Sequence, residues 1–409
     1  MILKQCKYVI TQSTRGTLTN VDIRVEGNKI AEIGRELKGG EALPCNDKII
    51  IPGFLNSHVH ADTCFVNSGI TESEFISEYP YSLIELERNA RKDLSLLSAE
   101  VLLEESLLRG CTSLILFTKY HRDIQELASK ARVRVISGPL IYSINELRRA
   151  SSQGIENAYC AYFSKLLRES TLVELKEFFQ DIKANRVYIH VSETRKTVFE
   201  AKKKFKRFPI ELLDELGLLT EKTVLTHSGW VTSWEIEAIR RNKSSVVYCP
   251  SVEMKLATGG FPPIKDLTSK GVCVGLGTDS LLTGLSLDVI EEARVAVLHQ
   301  RESYKGLTMF PKDALNLITS SAEKLTGLKI GKIKEGYLAD LLLIKFSPKF
   351  HEALGHGLIP NIVYRLEHND IDSIMVGGEL IELSEYRNAI RDSIDAKLNK
   401  LSDLLLNEE

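Results

Sequence analysis

The feature that most restricts what this chain can become is an alternation. Between residues 54 and 279, short apolar runs alternate with longer stretches of helical period. The runs fall at 54–60, 112–118, 133–139, 157–163, 187–193, 223–227, 245–249 and 272–279. Near-continuous apolar character of this length suits strands covered on both faces, as in a parallel sheet. Among the intervening stretches, 99–109 stops at Gly110, where a left-handed C-terminal residue is expected. Thr171 with Glu174, and Thr232 with Glu235, read as capping boxes that open helices over 172–182 and 234–241. Eight strands alternating with helices predict an α/β fold, a (β/α)8 TIM barrel.

The ends of the chain behave differently. Strands are expected at 8–10, 22–25 and 29–33, with Glu26-Gly27-Asn28 as a turn, and 48–52 leads into the barrel. Strand character returns at 340–344, 371–376 and 379–381, the last two joined by a hairpin turn at Gly377-Gly378. The economical arrangement is one small β-sandwich domain built from both chain ends. The expected divisions are 1–52 and 331–385 for that domain, 53–330 for the barrel, and 386–409 for a closing helix whose pattern begins at 384.

Composition narrows the function. With 409 residues and 43% hydrophobic content, the chain can bury a barrel and an accessory domain. A formal net charge of -2 favours neither nucleic acid nor an anionic membrane as partner. No apolar run reaches the length of a membrane span, and residues 1–26 lack the pattern of a signal peptide. The 7 cysteines are scattered, odd in number and without a CxxC pair, which fits a reducing cytoplasm.

The chemistry gathers at strand ends. His58 and His60 stand two apart on one strand, so their side chains share a face. His190, His227 and Asp279 each end another expected strand. One such residue is ordinarily structural. Five at the C-terminal ends, where this fold collects its catalytic groups, would converge on one point at the barrel mouth. Three imidazoles and a carboxylate suit one divalent ion, Zn2+ before Fe2+ or Mn2+. Such an ion brings the pKa of a bound water near 7, and hydrolysis then needs a proton carrier. Glu193, three residues after His190, is the candidate carrier; the alternative is a surface carboxylate.

Several motifs together resemble the amidohydrolase superfamily, in its branch of aminohydrolases and chlorohydrolases that includes cytosine deaminase, guanine deaminase, the triazine hydrolases and the S-adenosylhomocysteine deaminases. They are Pro52-Gly53-Phe54-Leu55-Asn56-Ser57-His58-Val59-His60, His190-Val191-Ser192-Glu193-Thr194, Gly275-Leu276-Gly277-Thr278-Asp279 and Gly331-Lys332-Ile333-Lys334-Glu335-Gly336-Tyr337-Leu338-Ala339-Asp340-Leu341. The resemblance implies that His58, His60, His190 and Asp279 ligate one metal, and that Glu193 shuttles protons. It implies that His227 polarises the attacked centre or the water, and that Asp279 also accepts a proton from the water. Binuclear relatives carry a carboxylated lysine at the end of strand four. Residues 157–163 contain none, although Lys165 lies just beyond, so a single metal is expected. A homodimer acting on a small molecule is also implied.

The mouth loops depart from the nucleoside deaminases of that branch. Residues 64–76 lack the family's Arg-Gly…Asp-Asp…Trp, Tyr162-Phe163-Ser164 replaces Pro-His-Ser, Tyr248-Cys249-Pro250-Ser251-Val252-Glu253 replaces His-Cys-Pro-x-Ser-Asn, and Ser280–Gly284 replaces an Asn-rich turn. Substrate is selected in such loops, so the usual adenosine-type substrates are not expected. Candidate substrate contacts are Lys119 and His121 after strand two, Trp230 and Glu253. Lys119 and His121 could equally sit in a solvated loop, and Trp230 could equally pack beneath one. The basic run 202–207 reads as a solvated helix face rather than a phosphate site. The expected reaction is deamination of an aminated heterocycle or nucleoside-like base. The alternatives are hydrolysis of another C–N bond, in a cyclic amide or N-alkylamine, and a non-catalytic scaffold. The zinc deaminases that use a Pro-Cys-x-x-Cys ligand pair are excluded, because no such pair exists.

Overall fold

The computed structural model describes residues 1–65, 71–152, 158–175 and 186–406. Barrel strands β6 (Phe54–His60), β7 (Cys111–Phe117), β8 (Arg134–Gly138), β9 (Leu140–Ile141), β10 (Ala158–Tyr162), β11 (Arg186–Val191), β12 (Thr223–His227), β13 (Ser245–Tyr248) and β14 (Val274–Leu276) follow five strands of the N-terminal segment. All their pairings are parallel. The expected third strand is β8, and a two-residue piece that was not expected, β9, follows Pro139, which has no N–H to give a neighbour. β8 pairs with β7, and β9 pairs with β10. The ring closes where Asp279 N donates to His58 O at 2.9 Å and Val59 bridges Asp279. That closure needs Gly277, since a Cβ there would lie 2.6 Å from the Cβ of His58 and 2.9 Å from its backbone.

The helices follow their local signals. The capping boxes at Thr171–Glu174 and Thr232–Glu235 are formed, and the second opens Ser233–Arg241. Of the helix expected over 172–182, residues 176–182 lie outside the described residues, as does Asn157 of the expected fourth strand. The helix expected from 99 begins at Lys92 and runs to Leu108, because the segment before 99 already buries Leu94 and Leu97.

Strands from both chain ends form one hydrogen-bonded β domain. β1 (Ile2–Ile10), β2 (Thr17–Glu26), β3 (Lys29–Gly34), β4 (Ala42–Pro44) and β5 (Lys48–Pro52) join β15 (Leu341–Lys345), β16 (Ile371–Val376) and β17 (Glu379–Glu382). The seam is β5 against β15, antiparallel from Leu341–Pro52 to Lys345–Lys48. Strand periodicity at the seam serves two cores. Ile50, Leu341 and Leu343 enter the β-domain core, while Ile49, Ile51, Leu342 and Ile344 face the barrel core. The closing helix Leu383–Leu406 lies on Lys92–Leu108, with Ile394 and Leu401 buried and Lys397 Nζ 2.6 Å from Glu104. Among the described residues, no helix is long and apolar enough to cross a membrane.

Candidate metal centre and active site

Strand period two turns His58 and His60 of β6 to the same interior face, and the ring brings β11 opposite them with His190. Three Nε2 atoms meet there: His58 to His60 at 2.8 Å, His58 to His190 at 3.0 Å and His60 to His190 at 3.3 Å. One proton can bridge two such nitrogens but not three. Nitrogens about 2.1 Å from a tetrahedral ion lie roughly 3.4 Å apart, so a shared cation accounts for the cluster. A carboxylate that could join them is Asp279. Its Oδ1 accepts from Ser280 N at 2.7 Å, and its Oδ2 is buried with no hydrogen-bond partner among the described residues. Ligand atoms of His58, His60 and Asp279 lie within 4.8 Å of one another, as do those of His58, His190 and His227. The residues present therefore fit a single ion of the zinc type.

The backbone around the ligands is strained. Ser192, His227, Ser228 and Asp279 all have positive φ, at 52°, 70°, 55° and 58°. Non-glycine residues there cost about 1–3 kcal/mol each and cluster where side-chain aim matters. Four at the ends of three strands mark the same mouth that the histidines mark.

Glu193 and His227 lie beside the cluster. His227 Nε2 lies 3.2 Å from Glu193 Oε1 and 3.8 Å from Asp279 Oδ2. Burial, reinforced by the nearby Asp279 charge, pushes the Glu193 carboxyl up to about 8 despite the hydrogen bond it accepts from Tyr79. It therefore carries a proton at neutral pH. Burial holds the His227 imidazole down at about 3, so that ring is neutral. Burial also lowers His58 and His190 well below the ordinary histidine range, which leaves them free as ligands.

Glu253 follows β13 and is fully enclosed. Its Oε1 is 3.9 Å from His227 Nδ1, and neither carboxylate oxygen has a hydrogen-bond partner among the described residues. Burial, with the charges of Glu193 and Glu292, raises it well above the usual carboxylate range. Trp230 is half-buried and spans loops: its N donates to Ser192 O at 3.0 Å and its Nε1 to Thr258 O at 2.9 Å. Lys119 turns to the end of the helix Tyr81–Asn89, where Nζ donates to Arg88 O at 2.6 Å and Ala90 O at 3.2 Å. His121 opens the helix His121–Lys130 and is partly buried. Lys165 pairs with Glu169 at 2.7 Å, one turn along its own helix. The end of β10 is taken instead by Tyr162, whose ring stacks on His190. In the basic run, Lys204 Nζ binds the carbonyls of Leu167, Arg168 and Ser170.

Sequence reasoning missed Tyr79, Glu87 and Tyr162. Glu87 lies against His60 and the Tyr162 hydroxyl. Tyr162 had a signal, since Tyr162-Phe163-Ser164 departs from the family pattern at the end of strand four. Tyr79 and Glu87 lie outside the strands and carried none. Asn56 belonged to the first motif without a role. It ties the first strand to the last, accepting from His58 N at 3.3 Å and Thr278 N at 3.2 Å and donating to Thr278 Oγ1 at 2.8 Å.

Comparison with known proteins agrees with this architecture. The profile described as "Amidohydrolase family" matches residues 49–381. The 5-methylthioadenosine/S-adenosylhomocysteine deaminase of Pyrococcus furiosus is 30% identical over 393 residues, covering 90% of this chain and 92% of its own. A 5'-deoxyadenosine deaminase of Methanothrix thermoacetophila is 31% identical over 350 residues, covering 80% of this chain and 82% of its own. Among solved structures, an adenosine deaminase from Xanthomonas campestris with bound zinc superposes with a TM-score of 0.84 at 16% identity, covering 98% of each chain. That last likeness bears on the fold.

Proposed function

The chain belongs to the amidohydrolase family, and we propose that it deaminates an aminated heterocycle or nucleoside-like base with one divalent metal, zinc by preference, held by His58, His60, His190 and Asp279. The observation that carries this is the meeting of three buried Nε2 atoms within 3.3 Å beside the unpartnered Oδ2 of Asp279. An ion there supplies Lewis acidity, so that a water can give up its proton near neutral pH.

The chain's own groups do the rest. The Asp279 carboxylate takes the proton of the attacking water. A C–O bond forms at the ring carbon that bears the amino group. His227, neutral and 3.2 Å from Glu193, donates from Nε2 toward the charge that builds on the attacked centre. Glu193, protonated at neutral pH, delivers its proton to the nitrogen side as the C–N bond breaks and ammonia leaves. Glu253 is the substrate contact best supported by its surroundings. A buried carboxyl group without a partner is costly, and a substrate ring edge that offers an N–H beside a ring nitrogen would satisfy it as acceptor and donor. Trp230 lines the same mouth. Lys119 and His121 are weaker candidates, Lys119 because its ammonium is engaged on helix carbonyls.

The relatives named as deaminases of adenosine derivatives support the reaction class. The replaced mouth loops support a substrate that differs from theirs. A cytoplasmic homodimer is part of the same proposal, supported for the compartment by 7 cysteines that are all free and for the dimer by family resemblance. The test is ammonia release from purine, pyrimidine, pterin and triazine panels, with product masses recorded. Release from at least one amino-bearing ring is expected. Glu193→Gln should retain the metal and lose about 10²–10⁴ in kcat. Silence across the panels with metal in place, or full turnover by Glu193→Gln, would contradict the reading.

A further inference from the structure

Three imidazoles can serve one ion only if each turns an unprotonated Nε2 toward it, and nothing in a strand chooses that tautomer. We infer that Glu87, outside the barrel strands on the helix Tyr81–Asn89, is the positioning residue that fixes His60 directly and His190 through Tyr162. The inference rests on the metal reading given above.

The geometry is specific. Glu87 Oε1 lies 2.7 Å from His60 Nδ1, with both side chains fully buried. Neither atom has another hydrogen-bond partner among the described residues. A proton on Nδ1 facing that oxygen leaves the Nε2 lone pair directed at His58 and His190. The second oxygen is already committed: Glu87 Oε2 accepts from the Tyr162 hydroxyl at 2.6 Å and the Tyr142 hydroxyl at 3.1 Å. The Tyr162 ring stacks on His190 with centroids 4.1 Å apart and planes 8° from parallel, and Tyr142 stacks on its far side at 5.4 Å and 10°. One carboxylate thus holds two ligands, the first by a polar contact and the second by a stacked ring anchored to it. This stack stands at the end of strand four, the place where binuclear relatives carry a lysine.

Glu87→Gln tests the role. The amide oxygen can still accept from both phenols, but its N–H would face His60 Nδ1 and favour the tautomer with the proton on Nε2, where a metal cannot bind. Zinc affinity is read by competition between metal-free protein and a chromophoric chelator, and ligand geometry by the visible absorption of the cobalt(II) form. Glu87→Gln should bind zinc about 10–100-fold more weakly than the unaltered chain, with an altered cobalt spectrum and a metal-free melting temperature close to the original. Tyr162→Phe, which keeps the stack and loses the anchor, should move both readouts the same way by less. Zinc binding by Glu87→Gln within about twofold of the unaltered chain, with an unchanged cobalt spectrum, would overturn the inference. If Glu87→Gln does not fold, the Tyr142→Phe/Tyr162→Phe double variant decides: weakened zinc binding supports the role and unchanged binding refutes it. Failure of the unaltered chain to bind zinc would instead remove the metal reading itself.

Discussion

At the scale of single residues, the mouth of the barrel buries carboxylates that have no lysine or arginine ion pair among the described residues. Asp62, Glu87, Glu193, Glu253, Asp279 and Glu292 are all buried, and they are not all handled alike. Asp62 accepts from Thr118 Oγ1 at 2.6 Å and Lys119 N at 2.8 Å. Glu193 and Glu292 keep protons. Glu292 accepts from Ser251 N at 3.1 Å, its other oxygen has no partner among the described residues, and burial lifts it from its ordinary 4.5 to about 8. The folded chain therefore holds a proton between those values that the unfolded chain releases, and stability falls as pH rises from about 4.5 to about 8. Glu292→Gln mimics the protonated acid. Thermal melts of the two proteins should nearly coincide close to pH 5 and separate at pH 8.5 by at least about 2 °C in favour of the variant. A constant difference at both values would show that Glu292 does not titrate in this window.

At the scale of elements, what could be read from the sequence was whatever a single strand or helix encodes. Alternation on β6 placed His58 and His60 on one face, and the strand ends placed His190, His227 and Asp279 near the mouth. The capping boxes were legible because both partners lie three residues apart. Interactions between distant elements were not legible. Tyr79 reaches Glu193 over 114 residues and Tyr162 reaches Glu87 over 75, and no local period records such pairs. The piece Leu140–Ile141 beyond Pro139 was not legible, because two residues carry no period of their own. The contact between β14 and β6 was likewise invisible, although its requirement for Gly277 sat inside a quoted motif. Gly277→Ala should cost about 1–3 kcal/mol in denaturant melts, since the new methyl meets His58 backbone that cannot move without opening the ring. It should weaken metal binding with it. Unchanged stability would mean that the strand junction is looser than these distances indicate.

At the scale of the whole molecule, the chain brings its two ends together through β5 and β15 and so anchors the entry to the first barrel strand. β5 leads through Gly53 into β6, and Gly53 N donates to Asp340 O at 2.9 Å just before β15. The β domain thus holds the start of the strand that carries two of the four proposed ligands, and the closing helix braces the outside of Lys92–Leu108. The overall architecture was legible because alternation along a chain of this length admits few folds. The identity of the substrate was not, because it is written in mouth loops, where no strand or helix period constrains the choice of residue.

The claim on which the account depends is that one ion joins His58, His60, His190 and Asp279, and metal content measured alongside turnover tests it most directly. The unaltered protein should carry about one divalent ion per chain. It should lose turnover when a chelator removes the ion and regain it on adding zinc, whereas His190→Ala should lose the ion and turnover together. Full turnover by metal-free protein, or undiminished metal content in His190→Ala, would contradict the account.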